Sequence, residues 1–124
     1  MLILKSLSSF DSITDPDILR LAKLRHSQLG DELFSSVIIV EAGDTVEDIE
    51  NEIGFCILTN LFDDVRYPDL DFVPCFEALE DHGTFYEILF IFGDGDDAIE
   101  IFIPKDGVDP LLLSMCSQFA VVLN

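Results

Sequence analysis

The clearest pattern in the chain lies between Thr84 and Lys105, TFYEILFIFGDGDDAIEIFIPK. Two apolar runs, Phe85–Phe92 and Ala98–Ile103, flank Gly93-Asp94-Gly95-Asp96-Asp97. Aromatic and β-branched residues suit a pleated surface, and Gly and Asp tolerate the positive φ of a tight reversal. The pattern therefore predicts a β-hairpin. In the first run Tyr86, Ile88, Phe90 and Phe92 share one face, and Phe85, Leu89 and Ile91 the other. A strand apolar on both faces is expected to be central and covered on both sides. Ile99, Ile101 and Ile103 share a face of the second strand, and Pro104, which lacks an N–H, ends the ladder or lies at its edge.

Upstream, Met1–Leu7 is a short apolar run that reads as a first strand or a loosely held arm, and Ser8–Asp15 is polar and turn-like, so residues 1–14 are the one candidate appendage. Asp15 precedes Pro16, which suits a first helical position. Ile18, Leu21, Ala22 and Leu29 recur at helical spacing before Gly30, predicting a helix over Pro16–Leu29. Ser36–Glu41 contains Val-Ile-Ile-Val and reads as a buried strand. Val46, Ile49 and Ile53 predict a helix over Val46–Ile53, opened by a cap near Asp44 and Thr45 and closed by Gly54.

Phe55–Phe62 fits a strand or a buried helix equally, and Asp63–Val73 reads as a loop. Pro74 would open a short helix, Pro74–His82, closed by Gly83. Asp109 caps and Pro110 starts a final helix, Asp109–Val122, with Leu112, Met115, Cys116, Phe119 and Leu123 on one face. The expected fold is α+β in one domain, residues 1–124. It has a small mixed or antiparallel sheet centred on the C-terminal hairpin, with helices packed on it.

Charge changes this picture most. The chain has 25 acids, 6 bases and a net charge of −19, yet 49% of its residues are hydrophobic and 11 are Phe. That apolar content argues for a packed core rather than acidic disorder. Residues 1–30 carry four bases (Lys5, Arg20, Lys23, Arg25) and three acids, while residues 31–124 carry 22 acids and only Arg66 and Lys105. Such a field repels phosphate backbones, so direct nucleic-acid binding is not expected, whereas basic proteins and cations are attracted. The blander reading is that charge keeps a Phe-rich chain in solution. Cys56, Cys75 and Cys116 form no CxxC pair, the sequence has no apolar run of about 18 residues, and the short apolar stretch in MLILKSLSSF does not lead us to expect a signal peptide. A cytoplasmic protein with reduced thiols and no membrane association is expected.

Catalytic and cofactor motifs are sparse. Cys75 and His82 would stand two turns apart on the expected helix, about 10 Å of rise, too far for a nucleophile–base pair. Asp94–Asp97 resembles a calcium loop only superficially, because positions six and twelve are Ile99 and Lys105 rather than Gly and Glu. No His or thiolate stands at metal spacing, and there is no phosphate loop, so no metal or cofactor is expected. Glu87 and Glu100 interrupt apolar strands and could meet across the hairpin, where paired carboxylates do acid–base work. The bland alternative is a pair of solvent-facing acids near a sheet edge.

Phe76–Glu87 (FEALEDHGTFYE) and Ile103–Leu112 (IPKDGVDPLL) together resemble a group of small acidic proteins of bacterial plasmids and integrative elements. The likeness spans about residues 54–120. It implies a bacterial, mobile-element setting and brings no active-site residue with it. The leading expectation is a non-catalytic acidic protein that docks on a basic protein surface, as a DNA mimic of antirestriction type or as a toxin neutraliser. Its contact residues would be Glu47, Asp48, Glu50 and Glu52 on the second helix, with Asp63, Asp64, Asp69 and Asp71 in the loop. Two rivals stand beside it. One is a small enzyme or ligand-binding domain using Glu87, Glu100 or His82, recognisable by a polar pocket beside them. The other is a homodimer through exposed Phe-rich strand edges.

Overall fold

The computed structural model describes residues 1–34, 36–54, 58, 75–91, 98–119 and 121–122. Among them are six strands: β1 (Leu2–Ile3), β2 (Val37–Ile39), β3 (Cys75–Asp81), β4 (Phe85–Ile91), β5 (Ala98–Pro104) and β6 (Val121–Val122). They form one mixed sheet in the order β1-β2-β5-β4-β3-β6. Among the described residues, helices accompany it at α1 (Pro16–Leu29), α2 (Val46–Ile53) and α3 (Pro110–Phe119). This is the α+β fold that the pattern predicts.

The hairpin forms as expected, with β4 and β5 antiparallel from Phe85↔Pro104 to Ile91↔Ala98. Its turn, the Gly93–Asp97 segment, lies outside the described residues, as do nearly all of Phe55–Phe62 and the whole of Asp63–Val73. β2 runs parallel to β5, and β1 pairs antiparallel with β2.

One expected helix is a strand. Pro74–His82 contains good helix formers, but its residues 75–81 instead form β3, antiparallel to β4. Propensity loses here to the row of unpaired N–H and C=O groups that β4 would otherwise present. Gly83, read as a helix stop, has φ 96° and opens the two-residue turn Gly83–Thr84, closed by His82 N–H to Phe85 O at 2.9 Å. The final helix also ends early, at Phe119, and Val121–Val122 turns back to pair in parallel with Glu80–Asp81 of β3.

At the N-terminus the strand reading is the one that forms. Leu2 and Ile3 form β1, a 3₁₀ helix follows over Leu7–Ser12, and Leu4, Phe10 and Ile13 are buried. Their apolar side chains fill the space between the sheet and α1. The Phe-rich strands β4 and β5 are interior to the sheet, with Phe85, Phe90 and Phe102 buried.

The helices cover both faces of the sheet. On one face Tyr86, Ile88, Phe90, Ile101 and Ile103 pack with Ile49 of α2 and Leu112 and Cys116 of α3. On the other, Phe85, Phe102, Val37 and Ile39 pack with Ile18 and Ala22 of α1. Asp15 caps α1 by accepting from the N–H groups of Asp17 and Ile18, and Asp109 accepts from the Leu111 N–H at the start of α3. Among the described residues no helix is long and apolar enough to cross a membrane.

Candidate functional site

The apolar stripe of α1 runs Ile18, Ala22, then Arg25, then Leu29, at i, i+4, i+7 and i+11. Its first two members are buried, whereas Leu29 is half exposed and ends outside the core. Arg25 therefore stands on the sheet-facing stripe where an apolar residue is expected. Opposite it, two strand positions on the same sheet face are also charged. Glu87 is the register partner of Phe102, and Glu100 is the partner of Leu89, which makes the two carboxylates diagonal neighbours on β4 and β5.

Both are buried, Glu87 to 5% exposure and Glu100 to 9%. This overturns the reading of them as solvent-facing edge acids. β4 and β5 are inner strands, and α1 lies over this face. Arg25 Nη2 is 3.3 Å from each Glu87 oxygen, and its Nε is 4.0 Å from Glu100 Oε1. His82 Nε2 is 2.9 Å from Glu87 Oε1 and 3.6 Å from Glu80 Oε2. The imidazole stacks on Phe85, with ring centroids 4.8 Å apart and planes 19° apart, which fixes its orientation. Glu80 and Glu87 are register partners across β3 and β4, and His82 lies two residues beyond Glu80.

The electrostatics follow from burial and pairing. Burial pushes the Glu100 carboxyl up to about 7, helped by a hydrogen bond to Glu87 and by its charge. Burial also acts to raise Glu87. Hydrogen bonds from Glu100 and His82, with the Arg25 charge, outweigh it and hold Glu87 below its ordinary value. The pair is thus one carboxylate and one carboxylic acid at mildly acidic pH. Two buried atoms in the cluster, Arg25 Nε and Glu100 Oε2, have no hydrogen-bond partner. Arg25, Gln28, Leu29, Glu80, Glu87, Leu89 and Glu100 line an open groove of about 260 Å³. A second groove of about 290 Å³ reaches the other side of His82.

The acids expected to bind a partner are placed differently. Glu47, Asp48 and Glu52 are exposed on α2 and Glu50 is half-buried there. Asp48 is already engaged, since its carboxylate accepts from the Thr45 N–H while Thr45 Oγ1 accepts from the Asp48 N–H. Asp63, Asp64, Asp69 and Asp71 lie outside the described residues. Cys75 opens β3 and His82 follows its end, so their backbones stand at opposite ends of a seven-residue strand. Cys116 is buried in the core, where burial pushes its thiol up to about 12, an inert state.

The sequence reading singles out His82, Glu87 and Glu100 but misses Glu80 and Arg25. On a helix, positions 80 and 82 point about 200° apart, so no common site is visible. On a strand they share a face, and the two-residue turn brings Glu87 opposite. The signal for Arg25 was its place on the apolar stripe of α1. No protein-family model, curated protein or solved structure matches the chain.

Proposed function

We propose that the protein is a small binding domain whose site is the groove between the second half of α1 and strands β3–β5, and that it takes a small cation. The observation that carries this reading is Glu100, which lines an open groove and whose buried Oε2 has no partner. Buried polar atoms are normally satisfied, and leaving one unpaired costs about 1–3 kcal/mol. A ligand that bonds it removes that cost. The sign of the ligand follows from the count of charges. Glu80, Glu87 and Glu100 face one guanidinium, and the net charge of −19 draws cations toward the chain.

The test is a titration followed by NMR, with putrescine, methylguanidinium and divalent ions added separately. Binding should shift the resonances of Glu80, His82, Glu87 and Glu100 together, and Glu100→Gln should weaken it. Unmoved resonances at millimolar concentrations of every cation would overturn the reading.

A second reading keeps the acidic protein that docks on a basic protein, as a DNA mimic or toxin neutraliser. It is favoured by Glu47 and Glu52, which project from α2 and make no ion pair among the described residues. Electrostatic steering would speed such an encounter and fade with salt. A host-lysate pull-down eluted with rising salt tests it. A specific basic protein should elute at moderate salt and be lost from a Glu47→Gln, Glu52→Gln variant.

A further inference from the structure

We infer that the cation of this site is a divalent first-row transition-metal ion, held by Glu80, His82 and Glu87. The inference rests on the cation-binding reading and names its ligand. The three side chains each offer one ligand atom, and those atoms lie within 4.8 Å of one another. Ligands bound about 2.1 Å from a tetrahedral ion stand about 3.4 Å apart. The His82 Nε2 separations of 2.9 Å and 3.6 Å from Glu87 and Glu80 bracket that figure. Small side-chain rotations suffice to admit an ion.

The backbone prepares this arrangement. Glu80 and Glu87 are directly opposed across antiparallel strands, and His82 shares their face. Stacking on Phe85 holds the imidazole edge toward the carboxylates. Glu87 can give Oε1 to the ion while Oε2 stays on Arg25 Nη2, 3.3 Å away, so that Arg25 orients the ligand from outside. Its positive charge opposes the ion, and three nearby carboxyl groups offset it.

A separate observation points to the same ligand. Glu100 is nine-tenths buried beside Glu87, and its Oε2 has no partner. It stands outside the three ligands, where it can bond a metal-held water. The donor set selects the class of ion. One imidazole with carboxylates suits Zn²⁺, Mn²⁺ or Fe²⁺, whereas Ca²⁺ and Mg²⁺ favour oxygen alone.

The experiment is calorimetric titration of the full chain with Zn²⁺ and Mn²⁺, run beside Mg²⁺ and methylguanidinium. The variants are His82→Ala, Glu80→Gln and, as a control for the surface pair His26–Asp31 at 3.1 Å, His26→Ala. Circular dichroism checks that each variant is folded. One Zn²⁺ or Mn²⁺ per chain is expected, weakened at least tenfold by His82→Ala and by Glu80→Gln and unchanged by His26→Ala. Transition-metal binding that survives His82→Ala in a folded variant, or that is lost in His26→Ala, would overturn the inference. If methylguanidinium binds and Zn²⁺ and Mn²⁺ do not, the metal fails and the groove stands. If nothing binds, both fail.

Discussion

The two faces of the sheet are made by the same central strands and each is covered by helix, yet they are built differently. Under α2 and α3 the strand positions are apolar: Leu79, Tyr86, Ile88, Phe90, Ile101 and Ile103. Under α1 that composition holds at Phe85 and Phe102 and then breaks, because Glu80, Glu87 and Glu100 occupy neighbouring positions and Arg25 faces them. Folding alone explains the first face. Burying a Leu, Ile or Phe side chain contributes about 1.5–3 kcal/mol, and no charged group is buried among them. The second face pays for desolvated charge and leaves two polar atoms unsatisfied. A face that gives up stability in this way is where binding is to be sought.

Changes that break the comparison most strongly lie in the apolar half. Ile101→Ala should cost about 2–5 kcal/mol in chemical denaturation, since Ile101 is fully buried between inner strands and helix. In the charged half, Arg25→Ala leaves the buried Glu87 carboxylate without its cation. A loss of roughly 2–4 kcal/mol is expected in the same assay. By contrast Arg20→Ala, whose partner Asp17 is a surface neighbour one turn away, should change stability by less than about 0.5 kcal/mol.

pH sharpens the contrast further. Glu100 keeps its proton in the folded state up to about 7, above its ordinary value of 4.5. Between those values the unfolded chain has lost a proton that the folded chain retains, so stability should fall as pH rises from 4.5 to 7 and then level off. At ~1.4 kcal/mol per pKa unit the fall is of order 3 kcal/mol. Glu87 and Asp81 act the other way. Their folded values are lowered, so their contribution is full above their unfolded values and is lost as pH drops below about 4. General charge repulsion also grows with pH in so acidic a chain. Glu100→Leu isolates the local effect. Its stability should lose most of the slope between pH 4.5 and 7, read by urea midpoints across pH.

Between these extremes lies the α2 cap. Thr45→Ala removes one of the two reciprocal bonds with Asp48 and should cost about 1 kcal/mol.

The two faces also differ in how far the sequence announced them. The apolar one was legible, because alternation over Phe85–Phe92 and Ala98–Ile103 and the stripe of α3 repeat a simple period. The charged one was half legible. Glu87 and Glu100 stand out as acids inside apolar strands. His82 was visible too, but Glu80 and its place beside His82 were hidden by the helical character of Phe76-Glu77-Ala78-Leu79-Glu80, which only pairing with β4 overrides. Whether a strand acid faces solvent or protein depends on which helix lies over it, and that is decided by tertiary packing. Arg25 could have been found by noticing a charge where α1 requires an apolar residue.

The central claim is that the Arg25–Glu87–Glu100 cluster serves binding at the expense of stability. Its most direct test is the urea unfolding of an Arg25→Met, Glu87→Leu, Glu100→Leu variant at pH 7.5, where Glu100 is largely ionised. Replacing such a cluster with apolar side chains of similar size should raise stability by about 1–4 kcal/mol while cation binding is lost. A triple variant less stable than the parent by a similar amount would contradict the account, and would make the cluster a structural clasp between α1 and the sheet.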